Sequence, residues 1–450
     1  MRLPTELILM IAEQTAERDL SALARVNREF HAILVDHLYQ INIRRHDGAG
    51  ICKAAIFGSL PAVKRFLTMG IDVRQGYAPT STSRYNEFLG GNLEHPLLHA
   101  TQYGHVELVQ YLLEEGSDPD VRAGNRLTPL LIASRTGSLS IVRALKEAGG
   151  DGRLHAVGDP NFLEMFQRTP IREAAYGGHL NVVKYLFSVS ETGDTRSLAS
   201  ECFPEAAASG NMELVLYLLE KGSDVNYRGW VFEGPHARDW GSALSFAVKY
   251  NHPDMVRLLL KNNARIESAI GSGTARVGTT LFRLAVRLGF GEVLKVLLDH
   301  DFPEEHVPDL DDLLHCAIFN GQTTIVEGLL TRLHGDTGTL YFAMEDAINF
   351  GHADIVELLL KNGFSTDEAM LMAVFDGRKK IVECLLRRGI DPNSPTAPRS
   401  PLRLALNTGN SPMTELLLHY GAHINPSELQ RFRRAKEKRA FMSQFSPTPS

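Results

Sequence analysis

Cysteine, tryptophan and net charge are all scarce in this chain. Four cysteines in 450 residues, Cys52, Cys202, Cys316 and Cys384, stand far apart with no short pair spacing. That distribution offers neither a zinc ribbon nor a disulfide framework, and the simplest reading is helix-packing residues in a reducing compartment. The longest early apolar run, Leu7 to Ala12, is closed off by Glu6 and Glu13, too short for a secretory core or a membrane span. A net charge of −6 and a pI near 6.3 give no overall pull toward nucleic acid or anionic lipid. A folded, mildly acidic protein of the cytoplasm or nucleus is expected, with no nucleic-acid or membrane partner.

Catalytic patterns are equally scarce. Gly271-Ser272-Gly273 opens a glycine-rich stretch, but no lysine follows Gly278 and no strand precedes it, so a phosphate loop is not expected. Glu304, Glu305, His306, Asp309, Asp311 and Asp312 supply oxygen ligands without the glycine-containing spacing of a calcium loop. His105, His179 and His352 recur about one repeat or more apart, too far to share a metal, and are assigned to backbone bonding at turns. No nucleophile, base and orienting group fall together. The expectation is a non-enzyme with no catalytic residues, cofactor or metal.

What the chain has in abundance is repetition. Ala206 to Asn226 reads AAASGNMELVLYLLEKGSDVN, and the same pattern returns around Gly58, Gly104, Gly137, Gly178, Gly210, Gly289, Gly321, Gly351, Gly377 and Gly409, with Asn251 taking the glycine's place once. Four residues before each of these eleven turns stands an alanine, from Ala54 to Ala405. Five residues after it stands valine or leucine in every copy but the last, which has Thr414, and eight residues after it leucine in all but the first, which has Phe66. The second run spaces Met212, Leu214, Val215, Leu218 and Leu219 on one helical face. The first run is a shorter helix whose alanine admits a close neighbour. One such unit buries too little to offset the entropy of fixing its backbone, so the copies must stack.

The pattern resembles the ankyrin repeat family from about Ile51 to Asn425. Its Thr-Pro-Leu opening is present as Thr128-Pro129-Leu130 and nearly so as Thr169-Pro170-Ile171 and Ser400-Pro401-Leu402, and its Gly-His turn as Gly104-His105, Gly178-His179 and Gly351-His352. Elsewhere the opening has decayed, as in Asp312-Leu313-Leu314-His315 and Glu368-Ala369-Met370-Leu371. The resemblance implies an all-α solenoid of about eleven helix-turn-helix units with short β-hairpin-like fingers.

Three regions are expected: residues 1–42, the repeat array 48–426, and a basic C-terminal helix with a disordered tail over 427–450. In the first, Pro4 and Asp19 are placed to open two short helices. The Leu-Pro start, the Asp19-Leu20 pair and the Val26 to Phe30 element resemble the F-box, although its usual tryptophan is missing. That resemblance implies contact with the adaptor subunit of a cullin ubiquitin ligase through Leu3, Pro4, Leu7, Ile8 and Ile11; alternatively these helices only cap the first repeat. Joined F-box-like and divergent ankyrin segments are similar to proteins of filamentous fungi. In the last region, Arg431, Arg433, Arg434, Lys436, Lys438 and Arg439 read either as an import signal or as the solvated face of a helix that covers the final repeat with Leu429 and Phe432.

Extra residues enter at Arg74 to Glu94, Gly150 to Gln167, Tyr227 to Gly241 and Ser268 to Thr279. Both tryptophans lie in the third of these insertions. Tyr227, Trp230, Phe232, Arg238 and Trp240 are therefore the candidate target-binding residues, since large aromatics and arginine anchor protein interfaces. The competing role for the tryptophans is to hold an over-long loop together. The function expected is a substrate receptor that holds an unknown target in its groove; the rival is a non-catalytic scaffold or inhibitor.

Overall fold

A computed structural model describes residues 5–14, 17–26, 28–46, 48–77, 94–122, 127–151, 168–190, 194–232, 238–266, 281–302, 308–333, 337–393 and 400–423. Leu3, Pro4, the basic C-terminal segment and most of the insertions other than Tyr227 to Gly241 lie outside these residues. The chain forms two units, Met1–Arg265 with Ile270–Val277, and Ile266–Ala269 with Gly278–Ser450.

The first unit opens with α1 (Thr5–Gln14), α2 (Glu17–Ala24) and α3 (Arg28–His46). Where two short helices are expected from sequence there are three, because the Phe30 element starts a separate helix of 19 residues. These helices share a small core of Ala12, Ala24, Leu34 and Ile41, with Ile8, Leu23, Phe30, Ile33 and Leu38 against it. Side-chain contacts tie α3 to the first repeat. Arg65 Nε donates to Asp36 at 2.5 Å, Gly50 N donates to Asn42 Oδ1 at 3.0 Å, and the rings of Tyr39 and Phe66 meet edge-on at 4.6 Å.

Helix pairs follow: α4 (Gly50–Ile56) with α5 (Leu60–Thr68), α6 (Pro96–Gln102) with α7 (Val106–Glu114), α8 (Pro129–Thr136) with α9 (Leu139–Glu147), and α10 (Pro170–Tyr176) with α11 (Leu180–Ser188). An additional helix α12 (Thr195–Glu201), capped by Asp194, precedes α13 (Phe203–Ser209) and α14 (Met212–Glu220). Strands β1 (Arg228–Phe232) and β2 (Arg238–Ser242) lead into the sixth pair, α15 (Ala243–Lys249) and α16 (Pro253–Lys261). The second unit holds five more: α17 (Leu281–Leu288) and α18 (Gly291–Asp299), α19 (Leu310–Phe319) and α20 (Thr323–Leu333), α21 (Thr337–Phe350) and α22 (Ala353–Lys361), α23 (Thr366–Phe375) and α24 (Lys379–Arg387), α25 (Pro401–Thr408) and α26 (Ser411–His419).

Each recurrent residue has a structural task. All eleven alanines are buried, and within each unit the opening helices of successive copies pack on one another. The opening motif is a helix cap: Thr128 Oγ1 accepts from Leu131 N at 3.3 Å and Ser400 Oγ from Arg403 N at 3.4 Å, each with proline at a first-turn position where no N–H is needed. Where the motif has decayed the cap survives, as Asp309 accepting from Asp311 N and Ser365 from Glu368 N.

The turn glycines combine backbone and packing demands. Gly137 sits at φ +78°, and a β-carbon there would fall 2.4 Å from the His179 ring of the next copy. That ring is held because His179 Nε2 donates to the Arg135 carbonyl at 2.9 Å. His105 does the same to Ile56 at 2.9 Å and His252 to Ala208 at 3.1 Å, so turn histidines clasp the turn of the preceding copy. Asn251 accepts φ +59° without glycine, as asparagine can. No described helix is long and apolar enough to cross a membrane.

Candidate protein-binding surface

The insertion between the fifth and sixth pairs is a two-stranded antiparallel hairpin with Trp230 opposite Trp240. The two indoles are half-buried, with ring centres 5.4 Å apart and planes tilted by 57°. Side chains alternate along a strand, so the two sides of the hairpin differ. Val231 is buried with Ala208 and Phe246, flanked by Tyr176 and Tyr250, whereas the tryptophan pair occupies the other face. The backbone of Phe232 and Arg238 closes the far end of the ladder; their side chains lie outside the described residues. Tyr227, half-buried at the base, has its hydroxyl pKa raised by burial. The hairpin thus brings four of the five sequence candidates onto one ladder and the fifth to its foot.

Beneath the hairpin runs a belt of buried charge. Arg172 on α10 donates from Nε to Glu205 Oε1 on α13 at 2.6 Å, and through Nη2 to the carbonyl of Trp230. This guanidinium bonds two repeats and the hairpin backbone at once. Glu205 is almost fully buried, and burial outweighs Arg172 to push its carboxyl up to about 7. On the same helix as Arg172, buried Glu173 faces Arg135 Nη1 at 3.3 Å and Arg168 Nε at 3.6 Å. Burial also raises the Glu173 carboxyl, against the pull of Arg168, Arg135 and Arg172. At the other strand, Lys249 pairs with Asp239.

Sequence reading passes over this belt, though a signal exists. Glu173 and Glu205 each stand immediately before the recurrent alanine, where other copies place Ile132, Phe246 or Leu284. An acidic residue in an apolar column has to find a cation inside the fold.

A second surface, also passed over, lies in the second unit. Phe319 on α19 and Phe375 on α23 are 58% and 66% exposed, and Phe350 on α21 stands edge-on to Phe319 at 5.0 Å. His315 Nδ1 lies 2.6 Å from Asp346 Oδ2 beside them. Three successive opening helices therefore present phenylalanine to solvent at the end nearest the turn. Exposed apolar side chains grouped in this way mark interaction sites.

Of the candidate adaptor contacts, Ile8 packs into the α1–α3 core, while Ile11 is 52% exposed next to Met10 at 63%. Leu7 lies on α1 with its side chain outside the described residues, as Leu3 and Pro4 are altogether.

A family model described as "Ankyrin repeats (3 copies)" matches residues 51–156, 97–197, 173–270, 205–307, 244–339 and 340–428. The chain is similar to the ankyrin repeat and KH domain-containing protein mask-1 of Caenorhabditis elegans, 27% identical over 86% of this chain and 13% of that protein. It is similar also to a putative ankyrin repeat protein of fowlpox virus, 31% identical over 30% of this chain and 33% of the relative. Mouse cortactin-binding protein 2 is 44% identical over 14% of this chain and 4% of its own length. The chain therefore spans at most a third of these curated relatives. Among solved structures, the human ASB11 ankyrin repeat domain aligns with a TM-score of 0.39 at 22% identity, over 56% of this chain and 98% of that one.

Proposed function

Since the chain belongs to the ankyrin repeat family, a family of protein-interaction modules, we propose that it is the substrate receptor of a cullin-type ubiquitin ligase. In this reading the repeats recognise a target protein and the N-terminal helices dock on the ligase adaptor. No step of bond chemistry falls to this chain. Its contribution is to hold the target near a transfer enzyme, replacing a bimolecular encounter by an effective concentration.

The observation that carries target recognition is the hairpin, whose paired tryptophans share the face opposite buried Val231 on a backbone bonded by Arg172. A preorganised aromatic pair loses little entropy when a partner covers it. For the adaptor, the supporting observation is the division of labour among the first helices. Contacts from α3 cap the first repeat, and α1 and α2 pack on α3 in a shared core that leaves Met10 and Ile11 of α1 exposed. Two helices needed only as a cap have no reason to present such a pair.

The test is affinity capture of the purified adaptor by the full chain, compared with Met10→Glu and Ile11→Glu. Binding by the wild type and at least a tenfold loss in the variants is expected. An adaptor that never binds leaves the second reading, a scaffold that holds a partner without delivering it, which the capping contacts of α3 favour. Alanine at both Trp230 and Trp240 should abolish target capture with the helical signal unchanged; loss of the fold would assign the tryptophans to packing.

A further inference from the structure

We propose that Cys52, Glu94 and His99 form a binding site for a zinc-class divalent cation that joins the first repeat to the second. Cys52 lies on α4 and His99 on α6, both fully buried, and Glu94 just before α6 is nearly so. One donor atom from each, a sulfur, a carboxylate oxygen and a ring nitrogen, lies within 4.8 Å of the other two. His99 Nε2 stands 3.4 Å from Glu94 Oε2, yet neither nitrogen of that ring makes a hydrogen bond among the described residues. Glu94 is fixed in place by its backbone, which exchanges two hydrogen bonds of 2.7 Å with Tyr77.

A buried imidazole with no hydrogen bond calls for an explanation. His99 occupies the column before the recurrent alanine, where Ile132 and Phe246 fill apolar space and Glu173 and Glu205 meet arginines. Here the histidine meets a thiol and a carboxylate instead. That set suits a borderline-soft cation, because sulfur and imidazole select zinc over magnesium or calcium. Tetrahedral zinc at about 2.0 to 2.3 Å from each donor brings the donors to roughly 3.3 to 3.7 Å apart. The donors lie no more than 4.8 Å apart, so closing on the ion asks for shifts of about 1 Å.

On binding, the cation forms a bond to Cys52 sulfur and the thiol proton leaves to solvent. Thiolate and carboxylate then supply two negative charges against the two positive ones, His99 binds as the neutral ring, and a water completes the fourth position. The consequence is a clamp between α4, α6 and the Tyr77–Glu94 bridge.

Cobalt and zinc ions alone serve as probes on the full chain after chelator treatment. One equivalent of cobalt should give sulfur-to-cobalt charge-transfer absorption that zinc then displaces, and zinc should raise the melting temperature reversibly by chelation. Cys52→Ser should remove the charge-transfer band, and His99→Leu, which restores the apolar column, should weaken binding at least 100-fold. Cys384→Ser, in the other unit, should change nothing. The proposal is overturned by a wild type without the band at one equivalent, or by a band that survives Cys52→Ser. Should Cys52→Ser fail to fold, His99→Leu and Glu94→Gln decide: unchanged affinity in both overturns the site.

Discussion

Replacing Arg172 by methionine tests what fastens the recognition hairpin. The methionine occupies much of the arginine's volume but removes the bonds to Glu205 and to the Trp230 carbonyl. Removing one partner of a buried ion pair costs about 3 to 5 kcal/mol when the other charge is stranded. Glu205 can escape part of that cost by taking a proton. Its carboxyl sits at about 7 with the guanidinium in place and rises further without it. The loss should therefore be about 2 kcal/mol at pH 6, where the main deficit is the charge-assisted bond to the carbonyl, and larger at pH 8. The chain supplies its own probe, because its only two tryptophans face each other in this hairpin. In R172M the tryptophan emission should shift to the red, and its urea transition should move ahead of the loss of helical circular dichroism. A variant whose emission and transition match the wild type at both pH values would refute the claim that Arg172 pins the hairpin.

Other perturbations follow from the same contacts. Gly137→Ala should cost about 1 to 2 kcal/mol for its left-handed backbone, plus the displacement of His179. Gly104→Ala, whose β-carbon would meet only Ser138 Oγ at 4.0 Å, should cost the backbone term alone, and paired urea melts compare the two. The folded carboxyl of Glu205 lies above its ordinary 4.5, so the folded state binds the extra proton and this group's contribution is greatest below pH 4.5, declining as pH rises through about 7. The pH dependence of the stability difference between wild type and E205Q should show that decline, about 3 kcal/mol in all; a flat difference would exclude it. Alanine at Phe319, Phe350 and Phe375 together should leave the melting temperature within a few degrees while weakening partner capture at least tenfold. Loss of folding would instead assign those rings to the core.

The repeat was legible because it is local. An alanine four residues before a turn and aliphatics five and eight residues after it are spacings that one unit needs in order to bury its faces. The structure puts all of the alanines in the core. The Trp-bearing insertion was legible as a finger for a related reason: it exceeds the repeat length, and its aromatics have no place in the helical pattern. The third N-terminal helix was harder to read, since the sequence between α2 and α3 carries neither glycine nor proline.

Contacts between copies are a different matter. Arg172 meets Glu205 across 33 residues, Trp230 across 58, and Cys52 lies against Glu94 and His99 from another repeat. Nothing in the chain's local spacing encodes which residue of one copy will face which residue of the next. The sequence by itself determined the unit, the number of units and the insertion that carries both tryptophans, because helical period and turn geometry act within about thirty residues. Tertiary structure alone decided which charges share a buried belt, which phenylalanines face solvent and which donors converge. Those outcomes depend on how neighbouring helices register side by side, where a shift of one residue would exchange every pairing.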